Sequence, residues 1–354
     1  MALHREKTRR IQVGACAVGG GAPVSLQSMT NTVTRDVEAT VSQIEALARA
    51  GCDIVRVSVP DMDSAVAFGE IKRRSMVPLV ADIHFDHRLA IESIERGADA
   101  VRINPGNIGS RQALRSVAIA ARERGVPIRV GVNLGSVKRS VLGRHGDDHV
   151  GAIVKSAADY VHMLEDMGLD AIKVSLKSSD VLQTIDAYRR FSKISLWPLH
   201  LGVTEAGPLQ SGLVRSSVGI GVLLEEGIGD TIRVSLSADP VQEVFAGRVL
   251  LECLGLRAEG VRVIACPTCA RACADVAAIS SELEESLRDV RRHAVVAVMG
   301  CVVNGPGEAR IADIGVACDR KGALLFRHGK PVRRIRTDEI VTVIREELDK
   351  ETPA

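Results

Sequence analysis

The sequence predicts an α/β fold in which an N-terminal (β/α)8 TIM barrel is followed by a smaller α/β domain. Eight short β-rich runs alternate with helical patterns between residues 23 and 237. The glycines at 19–21 precede the first run instead of following it, so the turn that would open a dinucleotide-binding sheet is missing. An open doubly wound sheet is therefore the weaker alternative. Beyond residue 258 the composition changes and cysteines cluster, which places the boundary between a domain at 1–258 and one at 259–354.

The strand candidates are PVSLQSM (23–29), DIVRVSV (53–59), PLVADIH (78–84), AVRINPG (100–106), IRVGVNL (128–134), AIKVSLK (171–177), SLWPLHLGVT (195–204) and TIRVSLS (231–237). Between them lie helical patterns at 39–51, 64–74, 87–97, 111–125, 155–168 and 181–191. Several end in a glycine just past the last periodic apolar residue, where a helix C-cap requires a left-handed residue. A helical pattern at about 240–254 closes the barrel. The second domain reads as a helix near 277–292, a strand near 293–300, short strands around 311–317 and 323–326, and a helix at 337–349.

Composition narrows the function classes. With 46 Lys and Arg against 44 Asp and Glu, the net charge is +2, so no polycation argues for nucleic acid. One Trp and two Tyr leave little for stacking bases. The first 25 residues hold no apolar stretch of signal-peptide length and no later run resembles a membrane span, which makes a cytoplasmic location the expectation. In such a compartment, clustered cysteines favour metal ligation over disulfides.

In a barrel, the carboxyl ends of separate strands converge on one mouth. The polar residues on these strands are Arg56; Asp82 and His84; Arg102, Asn104 and Asn107; Arg129 and Asn133; Lys173, Ser175 and Lys177; His200, Thr204 and Glu205; and Arg233 and Ser235. The arginines and one of the two lysines suit a phosphate or diphosphate held by charge-assisted hydrogen bonds, with asparagine and serine as directional partners. Residues 173, 175 and 177 face the same way along their strand. His84 and His200 are candidates for proton transfer or for holding a substrate oxygen, and each reads equally as a structural histidine. Glu205, among small residues just beyond a strand, is the better proton-transfer candidate.

Cys266 and Cys269 form a C-x-x-C pair, and Cys301 follows a buried-looking strand. The pair alone suits a redox dithiol, half a zinc site or half an iron–sulfur site. A third cysteine tilts the choice towards metal. Glu308, beyond the glycines of NGPGE, can approach as an oxygen ligand, and Cys273 competes with it for the fourth position. Cys16, Cys52, Cys253 and Cys318 read as core or incidental residues.

Ordered along the chain, SLQSMTNT, DIVRVSVP, PLVADIHFD, RINPGNIG, HLGVTEAG, GIGDTIRVSLSADP, ACPTC and GCVVNGPGEA resemble the bacterial 4-hydroxy-3-methylbut-2-en-1-yl diphosphate synthase family over about residues 10–348. The resemblance implies a TIM barrel joined to an iron–sulfur domain, one 4Fe-4S cluster per chain, and Cys266, Cys269, Cys301 and Glu308 as its ligands. It implies 2-C-methyl-D-erythritol 2,4-cyclodiphosphate as substrate. Arg56, Arg102, Arg129, Asn133, Arg233 and Ser235 then hold it, with Lys177 preferred to Lys173, and Glu205 donates a proton. It also implies flavodoxin or ferredoxin as electron donor, and a homodimer in which one subunit's barrel faces its partner's cluster domain. Ala272 and Cys273 depart from the polar or acidic residues common after CPTC in this family. A zinc-stabilised phosphate-binding or interaction protein without redox activity is the alternative from a different class.

Overall fold

The computed structural model describes residues 3–104, 106–137, 139–267, 269–301 and 311–350. The chain divides into two compact units, Met1–Arg257 and Ala258–Ala354.

In the first unit, two three-residue strands, Ile11–Val13 (β1) and Cys16–Val18 (β2), pair antiparallel. Eight parallel strands follow: Ser25–Met29 (β3), Ile54–Ser58 (β4), Leu79–Asp82 (β5), Ala100–Ile103 (β6), Ile128–Asn133 (β7), Ile172–Lys177 (β8), His200–Leu201 (β9) and Thr231–Ile232 (β10). Their order is β8-β7-β6-β5-β4-β3-β10-β9. A parallel bridge between Val174 and Leu199 joins the two ends of that order and closes the barrel. Every strand candidate from the sequence contains one of these eight.

The helices of this unit are His4–Lys7 (α1), Val37–Ala50 (α2), Met62–Arg74 (α3), His87–Glu95 (α4), Arg111–Arg124 (α5), Arg139–His145 (α6), His149–Asp166 (α7), Val181–Ser192 (α8), Leu209–Glu225 (α9) and Pro240–Cys253 (α10). Aspartate side chains cap the amino ends of α2, α3, α4, α7, α8 and α10, and Ser110 caps α5, each accepting a backbone N–H of the first turn. At the other end, Gly51 and Gly125 adopt the left-handed conformation that terminates α2 and α5.

The β1–β2 hairpin covers the amino-terminal floor of the barrel. Gly14 packs against Asp99 and Pro78, which immediately precede β6 and β5. Thr8 Oγ1 donates to Asp230 Oδ1 at 2.8 Å, just ahead of β10. Ile11, Val13 and Val18 are buried in the barrel core.

The second unit is a five-stranded sheet of order β11-β12-β13-β14-β15, built from Val261–Ala265 (β11), Ala294–Met299 (β12), Ile314–Asp319 (β13), Gly322–Arg327 (β14) and Lys330–Ile335 (β15). The first three strands run parallel and the last two are antiparallel additions. Val276–Ser286 (α11) and Ile340–Lys350 (α12) contribute Val276, Leu283, Ile340, Ile344 and Leu348 to a core with strand residues Val296, Val298, Val316 and Leu325. β11 and β15 were not among the strands expected from the sequence. No helix among the described residues is long and apolar enough to cross a membrane.

Candidate functional site

Inward-facing positions of a barrel this size are ordinarily filled by branched apolar residues. Here they carry Arg102, Arg129, Lys173, Lys177 and His200, all buried. Arg56 and Arg233 are half-buried beside them. The carboxylates interleaved with these cations are Asp82, Glu243 and, near the floor, Asp230. Asp82 lies 3.2 Å from Arg102 Nη1 and 3.7 Å from Arg56 Nε. Burial raises its pKa, and Arg56, a hydrogen bond with His84, Arg102 and Arg129 more than offset that, holding it well below the ordinary carboxylate range. Asp82 is thus the counter-ion that fixes two guanidinium groups; facing a diphosphate directly it would repel it.

His84 Nε2 stands 2.9 Å from Arg102 Nη1. A guanidinium only donates, so this nitrogen accepts from Arg102 in one tautomer of His84, and in the other it donates to Asp82 Oδ2, 3.5 Å away. Arg56 reaches the Met29 thioether through Nη2 at 2.8 Å and Nε at 3.1 Å. Its pKa falls to about 10, chiefly from burial. Burial, then the charges of Arg56 and Arg102, bring Arg129 well below its usual value. The same causes, burial first and Arg129 next, depress Lys177 and His200.

Several donors in this well have no partner. Arg102 Nε, Arg129 Nε and Nη1 and Arg233 Nε are buried without a hydrogen-bond acceptor, and the two ring nitrogens of His200, one a donor and one an acceptor in the neutral ring, are buried without a partner. An unpaired buried polar group costs roughly 1–3 kcal/mol and more when charged, so a cluster of unpaired cationic donors marks a site shaped for an anion. Two glycines make it possible. A Cβ at Gly131 would lie 2.8 Å from Arg102 Nε, and one at Gly202 (φ 156°) would lie 2.5 Å from Lys177 Nζ.

At the carboxyl end the well opens into a cleft of about 460 Å³ lined by His84, Arg102, Asn104, Asn107, Asn133, Lys177, Ser178, Thr204 and Glu205, together with Leu134, Gly135 and Ser179. Glu205 is exposed there with φ at 54°, and Phe85, beside His84, has φ at 67°. Left-handed backbone at two non-glycine residues on one rim is strain of the kind that gathers at functional sites. Asn104 Oδ1 accepts the Gly106 N–H at 3.1 Å, so this side chain shapes its loop. Ser175 lies within the barrel, its Oγ 3.5 Å from the Val130 carbonyl, and Ser235 is half-buried beyond β10.

Lys173 does not belong to the mouth. Its Nζ lies 3.5 Å from Thr231 Oγ1 near the floor, and the titratable groups around it are Arg129, Cys16 and Asp230. Register pairs Arg102, Arg129 and Lys173 across β6, β7 and β8. Because strands in a closed barrel are staggered, equal register is not equal height, and this corrects the expectation that either lysine could serve. Glu243 was not expected at all. As a glutamate in the first turn of α10 it looks like an ordinary complement to a helix dipole.

In the second unit, Cys266 follows β11 and Cys301 follows β12, so two thiols leave the carboxyl ends of neighbouring parallel strands. Cys266 Sγ accepts the Gly300 N–H at 3.1 Å. Cys269 is exposed, and its thiol is lowered by a backbone hydrogen bond and a side-chain bond from Arg271. Thiolates stabilised by N–H donors are the ligand chemistry of iron–sulfur centres, so this donor set fits one. Among the described residues no three His, Cys, Asp or Glu side chains are gathered closely enough to hold a metal ion. Glu308 lies outside the described residues. Cys273 is exposed, with its N–H donated to the Gly300 carbonyl at 2.8 Å.

A barrel whose interior holds clustered cations with several unpaired donor atoms, in one chain with a sheet that delivers thiols from adjacent strand ends, defines a class of anion-handling TIM-barrel protein with a cysteine-bearing second domain. The chain belongs to the GcpE family: the GcpE TIM-barrel domain matches residues 8–248 and the GcpE protein C-terminal domain matches residues 262–350. Among its relatives is the 4-hydroxy-3-methylbut-2-en-1-yl diphosphate synthase (flavodoxin) of Geobacter sulfurreducens, 51% identical over 98% of this chain and 98% of its own. The protein of the same name from Anoxybacillus flavithermus is 51% identical over 98% of this chain and 96% of its own. Dihydropteroate synthase of Yersinia pestis superimposes with a TM-score of 0.51 over 70% of this chain and 97% of its own, at 12% identity, which is a likeness of the barrel fold alone.

Proposed function

We propose that this protein is a 4-hydroxy-3-methylbut-2-en-1-yl diphosphate synthase, converting 2-C-methyl-D-erythritol 2,4-cyclodiphosphate to the open hydroxybutenyl diphosphate and water with two electrons. The observation that carries the reading is the set of unpaired cationic donors inside the barrel, which suits a small dianionic phosphorylated ligand. Near full-length identity to synthases of that name supplies the particular reaction.

In this reading Arg56, Arg102, Arg129, Lys177 and Arg233 hold the diphosphate, with Asn133 and Ser235 as directional partners. Asp82 holds Arg56 and Arg102 in place. Opening the ring breaks a carbon–oxygen bond and leaves a terminal phosphate with one further negative charge. Cations fixed in advance stabilise that charge as it develops, without reorganising. Glu205, on the strained rim, delivers the proton with which the hydroxyl leaves as water. A 4Fe-4S cluster on Cys266, Cys269, Cys301 and Glu308 would supply the electrons one at a time. Flavodoxin, named for the relatives, is the proposed donor, ferredoxin the substitute, and a homodimer the proposed assembly. The protein is read as cytoplasmic.

The test is conversion of the cyclodiphosphate by anaerobically purified, cluster-reconstituted protein with a chemical reductant, alongside Glu308→Ala, with iron and sulfide measured in both. Product from the wild type and severe impairment in the variant are expected. Colourless protein carrying stoichiometric zinc, or no conversion by protein with an intact four-iron cluster, would overturn the reading.

A further inference from the structure

Arg233 is a cation of the mouth held in place by a side chain from a helix, α10. Its Nη2 lies 3.4 Å from both carboxylate oxygens of Glu243. The same carboxylate accepts the Ser28 hydroxyl at 3.0 Å and the Leu236 N–H at 2.9 Å. Glu243 is buried, 3% exposed, in the first turn of α10, so it has no solvent to share these bonds with. One carboxylate thereby ties together the end of β3, the residues after β10 and the start of the helix that follows. Arg233 Nε is meanwhile left buried and unpaired.

We infer that Glu243 is a positioning residue for the diphosphate: by taking the Nη2 edge of Arg233 and the Leu236 N–H, it leaves the remaining guanidinium donors free for the anion. The assignment rests on the reading of the barrel mouth as a diphosphate site. Two effects of the carboxylate oppose each other. Its charge, close to the cation well, weakens anion binding, whereas its grip on Arg233 strengthens it by removing the entropy of a mobile arginine. Orientation outweighs charge if loss of the carboxylate weakens binding, because loss of a negative charge alone would tighten it. The sign of the effect therefore separates the two.

The experiment is calorimetric titration of the full chain with inorganic pyrophosphate at fixed ionic strength, which needs no turnover. Glu243→Gln is expected to weaken binding about 10-fold or more, while in an Arg233→Ala background the same change is expected to alter it less than about 2-fold, the non-additivity of a coupled pair. Should Glu243→Gln not fold, Glu243→Asp, which retracts the carboxylate by one methylene and keeps its charge, carries the same cycle. Tighter binding in the single variant, or an equal loss in both backgrounds, would overturn the positioning role. Failure of the wild type to bind pyrophosphate would instead overturn the diphosphate reading, and the assignment with it.

Discussion

Lys173 and Lys177 share one face of β8 four residues apart, yet they meet different surroundings. Their common direction was legible from alternation in AIKVSLK; their depth was not, because it depends on barrel stagger that no local pattern encodes. Burial, reinforced by Arg129, brings Lys173 down to about 7. An unfolded lysine keeps its proton to about 10.4. Between those values the unfolded chain binds more protons, so this group makes stability rise with pH by up to about 1.4 kcal/mol per unit, with its full penalty present below pH 7. Lys173→Met is expected to flatten the pH dependence of urea unfolding between pH 7 and 10 and to leave pyrophosphate affinity within about 2-fold. An unchanged slope would mean that Lys173 stays charged against Asp230. Lys177→Met, at the mouth, is expected to weaken pyrophosphate binding about 10-fold or more, and wild-type affinity would remove it from the site.

At the scale of elements, the sequence was most readable where one signal dominated. Runs such as DIVRVSV and IRVGVNL mark β4 and β7 because β-branched residues suit strands buried on both faces. The helix α9 was not singled out, since glycines interrupt its pattern. Gly212 and Gly219 are there for close packing: a Cβ at either would lie 2.6 Å from Leu236 or Val203. β15, reading KPVRRI, looks like a loop because five of its six residues are exposed and it contains Pro331, features that suit an edge strand which must not pair further. The aspartate caps were an unused signal. Asp180 accepts the Gln183 N–H at 2.8 Å, and Asp180→Ala is expected to cost about 1 kcal/mol in urea unfolding without changing pyrophosphate affinity. A loss below about 0.3 kcal/mol would show that packing of α8 makes the cap redundant.

At the scale of the molecule, each unit has its own hydrophobic core, and the division at Arg257 and Ala258 passes between them. The fragment 1–257 is therefore expected to unfold cooperatively and to bind pyrophosphate with the affinity of the full chain, and calorimetry on both would check this. Loss of that affinity in a folded fragment would assign part of the anion site to the second unit. The ligands proposed for iron illustrate how far sequence reached: the motifs picked out Cys266, Cys269 and Cys301 and put only Cys301 after a strand, because exposed residues in β11 hide its strand character, and Glu308 lies outside the described residues.

The crowd of cations in the barrel also bears on how long the molecule survives. Empty, the well stores mutual repulsion that its two nearest carboxylates offset only in part, and a bound diphosphate relieves it. A chain without its metabolite opens more often and presents itself to proteases more often. Cellular half-life should then shorten when the supply of the phosphorylated substrate is cut, and pulse-chase in starved and fed cells would show it, while equal half-lives would mean that other anions keep the well filled. The protein's abundance would then rise and fall with the flux it serves, through the charge of its own interior.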